Sequence, residues 1–202
     1  PRRERLASIR RLASTFGCDP DDFGASRILP PADEGASSDA ALGRGRRVLL
    51  LPGALDGPAG LADDLGALGR AGTAVVRRFC AEGASVVLSA RRQAEGEALA
   101  ASLRDAGHDA SFVAADVTQR AQVAAAVDAT VERLGRIDIL TNCVSYDHMR
   151  RFMDDEERHW DRVHAVNVKG TMLGCQEALR HMIPQRYGRI ITFSSGSGLF
   201  GN

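Results

Sequence analysis

Gly188-Arg189-Ile190-Ile191-Thr192-Phe193-Ser194-Ser195-Gly196-Ser197-Gly198 is the stretch of sequence that decides the fold. Its β-branched and aromatic run, 190–193, predicts a buried strand, which ends in a loop of small residues carrying three hydroxyl groups. In an open α/β sheet, ligands bind beyond the carboxyl ends of the strands. The stretch therefore predicts a strand that delivers serines to a binding site.

The chain before this stretch alternates short apolar runs with segments of helical periodicity. The earlier predicted strands are 48–51, 84–90, 111–115 and 137–141. The predicted helices are 73–81, 93–106, one that begins at the N-cap Thr118 and stops at Gly135, and a long one over 155–182 that ends before Pro184. Strands and helices alternating at this spacing form βαβ units with right-handed crossovers. The predicted fold class is α/β, with a doubly wound parallel sheet.

The composition predicts a globular protein. The chain has 202 residues, of which 44% are hydrophobic and 26% charged, which is enough for one core and an appendage. The formal net charge is zero, so no overall field favours nucleic acid or an anionic membrane. No apolar run approaches the roughly 18 residues of a membrane span. We therefore expect neither a nucleic-acid nor a membrane partner.

The four cysteines are widely spread and never form a C-x-x-C motif: Cys18, Cys80, Cys143 and Cys175. This spacing predicts neither a zinc site nor a dense disulfide framework, and no metal site is expected. Dispersed thiols suit a reducing compartment, so the expected location is cytoplasmic.

The domain prediction is an N-terminal extension over 1–46 and a main domain over 47–202. The extension begins with four apolar residues at helical spacing among arginines: Leu6, Ile9, Leu12 and Phe16. This pattern predicts a short basic amphipathic helix, followed by a linker rich in Gly, Pro and Ser. Such a helix can contact a membrane or nucleic acid, but Glu4 dilutes its charge. Packing on its own domain or on a partner subunit is therefore preferred.

Several local signatures fall in order on the predicted strands and helices. They are Glu82 to Leu88, Ala115 to Thr118, Gly135 to Asn142, Trp160 to Asn167 with Gly170, and Gly188 to Gly198. With these motifs the main domain resembles the short-chain dehydrogenase/reductase family, over about the first two-thirds of that family's domain. The resemblance implies a Rossmann-like fold and an NAD(P)-dependent oxidoreductase that interconverts a carbonyl and a secondary alcohol.

The resemblance assigns the chemistry to two residues. Ser195 matches the catalytic serine, whose hydroxyl holds the substrate carbonyl oxygen for hydride transfer, with Ser194 and Ser197 as alternatives if the loop register shifts. Asn167 matches the active-site asparagine, which keeps a water in a proton relay. A polar side chain at Asn167 can instead merely satisfy a neighbouring backbone group.

The resemblance also implies cofactor contacts. Asp116 and Val117 would lie beside the adenine, although Asp116 can alternatively cap the helix that follows. Asn142 stands at the first position of the family's Asn-Asn-Ala-Gly turn, on the nicotinamide side. Arg91 follows the second strand, and Ala90 replaces the carboxylate that would bind the 2′-hydroxyl of NAD. A guanidinium suits a 2′-phosphate, so NADP is favoured over NAD, unless Arg91 is simply solvated surface charge.

The family's glycine-rich phosphate loop has no regular copy in this chain. Gly53 follows the right strand, but Asp56 and Pro58 soon after it oppose a pyrophosphate. The stretch 66–72 has the right distance to the next motif. We expect a lengthened loop between Gly53 and Gly72 that either wraps a dinucleotide, with Gly69 or Gly72 near the helix N-terminus, or fills the site; Gly53 and Gly72 are the predicted cofactor contacts.

The family's Tyr-x-x-x-Lys pair, the proton donor of the reaction, is not found in the sequence. Tyr146 and Tyr187 are the two tyrosines, and neither has a lysine four residues later, since the single lysine is Lys169. We therefore expect a domain that is incomplete at its C-terminus, because the pair follows the catalytic serine in relatives. Either the polypeptide continues, or the chain is a subunit that has lost its chemistry.

The preferred hypothesis is an NADP-preferring oxidoreductase acting on a small-molecule substrate. The alternative is a catalytically inactive subunit that works through a partner. By resemblance the long helix over 155–182 lies at a subunit interface. The expected partners are a second copy of the chain, as a homo-oligomer, or another subunit of the same family, as a hetero-oligomer.

Overall fold

The computed structural model describes residues 45–52, 70–146 and 150–194. Its five strands are β1 (Arg47–Pro52), β2 (Ser85–Ala90), β3 (Ala110–Ala114), β4 (Ile139–Cys143) and β5 (Arg189–Thr192). They form one sheet in the order β3-β2-β1-β4-β5, and every neighbouring pair is parallel. The predicted doubly wound α/β fold is confirmed. The predicted extension over 1–46 lies outside the described residues except for Gly45 and Arg46.

The helices are α1 (Arg70–Ala81), α2 (Gln93–Asp105), α3 (Arg120–Leu134), α4 (Glu157–Val163) and α5 (Thr171–Gln185). A short 3-10 turn, Phe152–Asp154, precedes α4. Between α4 and α5 the chain remains helical but widens into a π-helix, His164–Gly170, here called the π segment. The predicted long helix therefore exists as three consecutive pieces. Among the helices that the structure describes, none is both long enough and apolar enough to cross a membrane.

The end of the long helix differs from the prediction. Pro184 was expected to lie beyond the helix, yet it is inside the last turn of α5. The helix ends instead at Arg186, whose φ of 55° is left-handed and whose backbone N–H donates to Ile183 O. Pro184 has no N–H to donate to the carbonyl of Arg180, and α5 ends directly after the next residue, Gln185.

Both faces of the central strands are buried. Leu49 and Leu51 of β1 belong to the apolar cluster packed by α3 and α5. Val48 and Leu50 belong to the cluster on the other face, packed by α1 and α2. A parallel sheet covered on both sides requires continuous apolar strands, which is why β1 shows no polar alternation.

Strand β5, predicted from residues 190–193, is an exception to this burial. β5 was predicted to be buried, but its side chains are exposed, with Ile190 at 37% and Ile191 at 42%. Phe193, just beyond it, is 40% exposed. The backbone of β5 pairs with β4, while its faces are not covered by the part of the chain that the structure describes. The position of the strand is confirmed, and its burial is not.

Candidate functional site

The candidate site lies at the carboxyl ends of the strands. Ala115 N donates to Ala90 O over 3.0 Å, and Phe193 N donates to Asn142 O over 3.1 Å, so pairing continues just past β2, β3 and β5. The segments that follow these strands therefore all begin at the carboxyl-terminal end of the sheet. The strand order reverses between β1 and β4, and open α/β sheets bind ligands at such a switch point.

Asn167 ties the long helix to the segment after β4. Its Oδ1 accepts a hydrogen bond from Tyr146 N at 2.6 Å, and its Nδ2 donates to Tyr146 O at 2.8 Å. Tyr146 is 7% exposed, so both backbone groups would otherwise be poorly solvated. The Asn167 side chain thus satisfies a neighbouring backbone, which was the alternative interpretation of this residue. Its part in a proton relay stays a prediction.

Asn167 lies in the middle of the π segment, His164–Gly170. Thr171, the first residue of α5, donates its hydroxyl to Asn167 O at 2.8 Å. Short π-helical stretches inside α-helices are rare and occur frequently at functional sites. The side chain of Asn167, in the middle of this π segment, reaches the backbone of Tyr146 just after β4. No simple periodicity in the sequence marks this insertion.

Asn142 is placed differently from its prediction. It was expected in a turn, but β4 runs two residues further than predicted, because Asn142 and Cys143 continue the pairing with Leu51 and Pro52 of β1. Asn142 is fully buried, and its Nδ2 donates to Cys175 Sγ at 3.4 Å and to Thr192 Oγ1 at 3.3 Å. The side chain packs between β4, β5 and α5. A cofactor contact from Asn142 therefore stays a prediction.

Asp116 holds the turn after β3. Its Oδ1 accepts from Thr118 N at 2.9 Å and from Thr118 Oγ1 at 2.8 Å, and its backbone N–H donates to the Gln122 side chain at 2.8 Å. Thr118 was predicted to be the N-cap of α3, but Gln119 occupies that position without a capping side-chain bond. The Thr118 hydroxyl is already engaged with Asp116. Asp116 thus orders the approach to the helix, and its adenine contact stays a prediction.

Val117 is 1% exposed and belongs to the core cluster beside α3 and the long helix. A Cβ added to Gly170 would come within 2.9 Å of its Cγ2. The π segment therefore packs directly on the residue predicted to border the adenine. Only a glycine permits so close an approach.

Of the remaining predicted site residues, the structure describes Arg91 and Gly72. Arg91 directly follows β2 at the carboxyl edge and is half-buried, next to the buried Ala90. Gly72 is buried in the first turn of α1, and its contact with a pyrophosphate stays a prediction. Gly53 and Ser195 lie outside the described residues.

Cys143 stands at the end of β4 but is not a nucleophile. Burial raises the pKa of its thiol to about 12, so the thiol keeps its proton at neutral pH. The described residues also contain no group of three or more His, Cys, Asp or Glu side chains able to hold a metal ion.

Two glycines of the long helix were not singled out as a packing pair from the sequence. Gly170 and Gly174 are four residues apart on one helix face, and both are buried. A Cβ on Gly174 would lie 2.5 Å from Leu51 Cδ1 and 2.9 Å from Asn142 Oδ1. Their four-residue spacing is a signal of close packing that the sequence does contain.

Comparison with known proteins agrees with this geometry. The family profile described as short chain dehydrogenase matches residues 65–202, which is more than half of the chain. The chain belongs to the short-chain dehydrogenase family.

Individual members of the short-chain dehydrogenase family are similar at moderate identity. The chain is 40% identical to the short-chain reductase protein NovJ of Streptomyces niveus over 124 residues, covering 61% of this chain and 47% of NovJ. It is 38% identical to a 3-alpha-(or 20-beta)-hydroxysteroid dehydrogenase of Mycobacterium tuberculosis H37Rv over 130 residues, covering 64% and 49%. The chain thus spans about half the length of the curated relatives it matches.

A solved structure of a short-chain dehydrogenase relative superimposes on most of this chain. It is a gluconate 5-dehydrogenase from Burkholderia cenocepacia J2315, in complex with NADP and tartrate, with a TM-score of 0.65 at 30% identity. The match covers 80% of this chain and 60% of that one. The structure described as gox2181 gives a TM-score of 0.67 at 28% identity, covering 78% and 56%. The predicted family and fold are confirmed.

Proposed function

We propose that this chain is the cofactor-binding part of an oxidoreductase that interconverts a carbonyl and a secondary alcohol, with NADP preferred over NAD. One observation carries the proposal. This short-chain dehydrogenase has a parallel sheet in the order β3-β2-β1-β4-β5, and Arg91 directly follows β2 at the carboxyl ends of the strands. Among the relatives, the gluconate 5-dehydrogenase is described with NADP bound. Its cofactor supports the proposal for this chain.

The residues at this edge fit a dinucleotide. Ala90 is small and buried and brings no carboxylate to the end of β2, where Arg91 would hold a 2′-phosphate. The first turn of α1, with the buried Gly72, would face the pyrophosphate. When bound, the nicotinamide supplies the hydride. Ser195 would then hold the substrate oxygen, and Asn167 would keep the segment around Tyr146 in place beside it.

The cofactor preference is tested by thermal melts of the full chain with NADPH and with NADH. A ligand that binds only the folded state stabilises it by about 2.7 kcal/mol at one hundred times its Kd, which raises Tm measurably. We expect this rise with NADPH and a smaller one with NADH. Arg91→Gln should reduce the NADPH effect and leave the NADH effect unchanged, because it removes the guanidinium that would hold the 2′-phosphate.

Arg92→Gln is the matched control. Arg92 is the neighbouring arginine, and it forms an ion pair of 3.0 Å with Glu95 at the start of α2. Its loss should leave the NADPH preference unchanged. An equal loss of preference in both variants would show that Arg91 acts only through general surface charge.

The second candidate is an inactive subunit that acts through a partner. It is favoured by the engagement of the Asn167 and Asn142 side chains in structural hydrogen bonds. The melts separate the two functions. If neither cofactor at saturating concentration shifts Tm, the oxidoreductase proposal fails and the interaction function is supported.

A further inference from the structure

Three arginines surround one aromatic ring at the amino-terminal edge of the sheet. The guanidinium carbons of Arg46, Arg189 and Arg136 lie 5.0, 5.6 and 5.7 Å from the centroid of the Tyr187 ring. We propose that this arginine cage, Arg46, Arg136 and Arg189 around Tyr187, binds a phosphate-type dianion. The proposal is independent of the oxidoreductase function.

The arginines of the cage outnumber the carboxylates that are paired with them. Asp138, 1% exposed, forms ion pairs with Arg136 Nη2 at 2.7 Å and with Arg47 Nη1 at 3.9 Å. Among the ion pairs within 45–52, 70–146 and 150–194, neither Arg46 nor Arg189 has a carboxylate partner. Three like charges that all contact one ring repel one another, and salt screens this repulsion only in part, because the Debye length at physiological ionic strength is about 8 Å. An anion of two or more charges would relieve this repulsion.

The cage is held in place by hydrogen bonds of its backbone and of Gln185, and the Arg189 guanidinium also donates through Nη1 to Gly188 O at 3.3 Å. Gln185 Nε2 donates to Ile137 O at 2.9 Å and to Tyr187 O at 3.3 Å, which fixes the turn carrying the ring. Arg189 N donates to Asp138 O at 2.9 Å. A ligand would therefore meet arginines whose backbone positions are already set, and this lowers the entropy lost on binding.

The chemistry of the cage favours phosphate over a monovalent carboxylate. Guanidinium groups form planar, bidentate pairs with phosphate oxygens, and several can share one tetrahedral anion. The cage also lies at the opposite end of β4 from the candidate cofactor site. Asp138 directly precedes β4, whereas Asn142 lies near its carboxyl end. A phosphate bound there would not occupy the predicted dinucleotide site.

The test is isothermal titration of the full chain with inorganic phosphate, pyrophosphate and glycerol phosphate, with ionic strength held constant by sodium chloride. Arg46→Gln/Arg189→Gln removes two cage charges and leaves the Arg136–Asp138 pair intact. We expect Kd for phosphate to rise about tenfold or more, since hydrogen bonds to charged groups are among the stronger ones. The free anions and the ester distinguish a site for phosphate itself from one for a phosphate ester.

The control variant is Arg78→Gln/Arg158→Gln, which removes two arginines whose side chains are 79% and 70% exposed. It should bind phosphate as the unmodified chain does. Equal Kd values in the cage and control variants would overturn the proposal. So would phosphate binding that NADPH abolishes and the cage variant leaves unchanged, because that phosphate would sit in the dinucleotide site.

A second variant guards against misfolding of the first. Arg46→Lys/Arg189→Lys keeps the charge but loses the planar fork, so its Kd should lie between those of the unmodified chain and the Gln variant. A Lys variant that binds no more tightly than the Gln variant, while both keep the far-ultraviolet circular dichroism of the unmodified chain, would contradict a charge-based site.

Discussion

At the residue scale, Asn167 shows how one side chain can serve structure where a chemical role was predicted. Its amide makes both hydrogen bonds that the backbone of Tyr146 requires. The sequence identified the residue, but it could not show the partner. The partner is 21 positions earlier, and the two meet only because a helix and a strand end are packed together.

We predict that Asn167→Ala destabilises the protein by about 2 kcal/mol, because it leaves a buried N–H and C=O without partners. Urea unfolding of the full chain measures this loss. Asn167→Asp is the informative companion, since it keeps an acceptor for Tyr146 N but turns a carboxylate oxygen towards Tyr146 O. It should be at least as destabilising as the alanine. If neither substitution changes the free energy of unfolding, the hydrogen bonds between Asn167 and Tyr146 contribute nothing to stability.

At the element scale, the order and type of the strands and helices followed from the sequence, because apolar runs and helical periodicity are local signals. Gly135, predicted as the end of α3, has a φ of 80° and donates its N–H to Val131 O. The four valines and leucines predicted on one face of α3 all pack on the same core cluster: Val123, Val127, Val131 and Leu134. Local chemistry determined these features.

The errors at this scale share a cause, which is that pairing and packing across the sheet decide where an element ends. β4 includes Asn142 because β1 and β5 both continue alongside it. The π segment and the helical position of Pro184 were likewise not indicated by any local sequence pattern. None of these can be derived from a single stretch of residues.

We predict that Gly174→Ala destabilises the protein by about 1 to 3 kcal/mol, although alanine is the better helix former. The added methyl group would collide with Leu51 and Asn142, both in the sheet. Thermal unfolding measures the change. Ile183→Ala is the control on the same helix, because Ile183 is 62% exposed and its truncation should leave Tm nearly unchanged. A Gly174→Ala variant that melts higher than the unmodified chain would show that α5 can move away from the sheet.

At the scale of the whole molecule, the long helix carries exposed apolar side chains that the described part of the chain does not cover. Val168 is 51% exposed and Met172 is 60% exposed, and their four-residue spacing places them on one face. We propose that this face pairs with a second subunit. A second copy of the chain would form a homo-oligomer, and another short-chain dehydrogenase would form a hetero-oligomer.

We predict that Val168→Glu/Met172→Glu converts the oligomer to monomer, because it places two like charges on each side of an apolar contact. Light scattering after size-exclusion chromatography measures the mass. Ile183→Glu is a suitable comparison, as Ile183 is equally exposed, at 62%, but lies near the end of α5. A monomeric unmodified chain, or an oligomer that survives the double substitution, would contradict the proposed interface.

The strand order has a consequence for the timing of folding. β1 is central in the sheet, yet its partner on one side is β4, so that Arg47 N bonds to the Asp138 carboxylate across 91 positions of sequence. Contacts between such distant residues slow folding, because a long loop must close before they form. During synthesis the apolar strand β1 therefore leaves the ribosome long before β4 does. Until β4 emerges, the nascent chain carries the apolar strand β1 with one unpaired edge. Chains with such exposed strands are prone to aggregate and to need a chaperone.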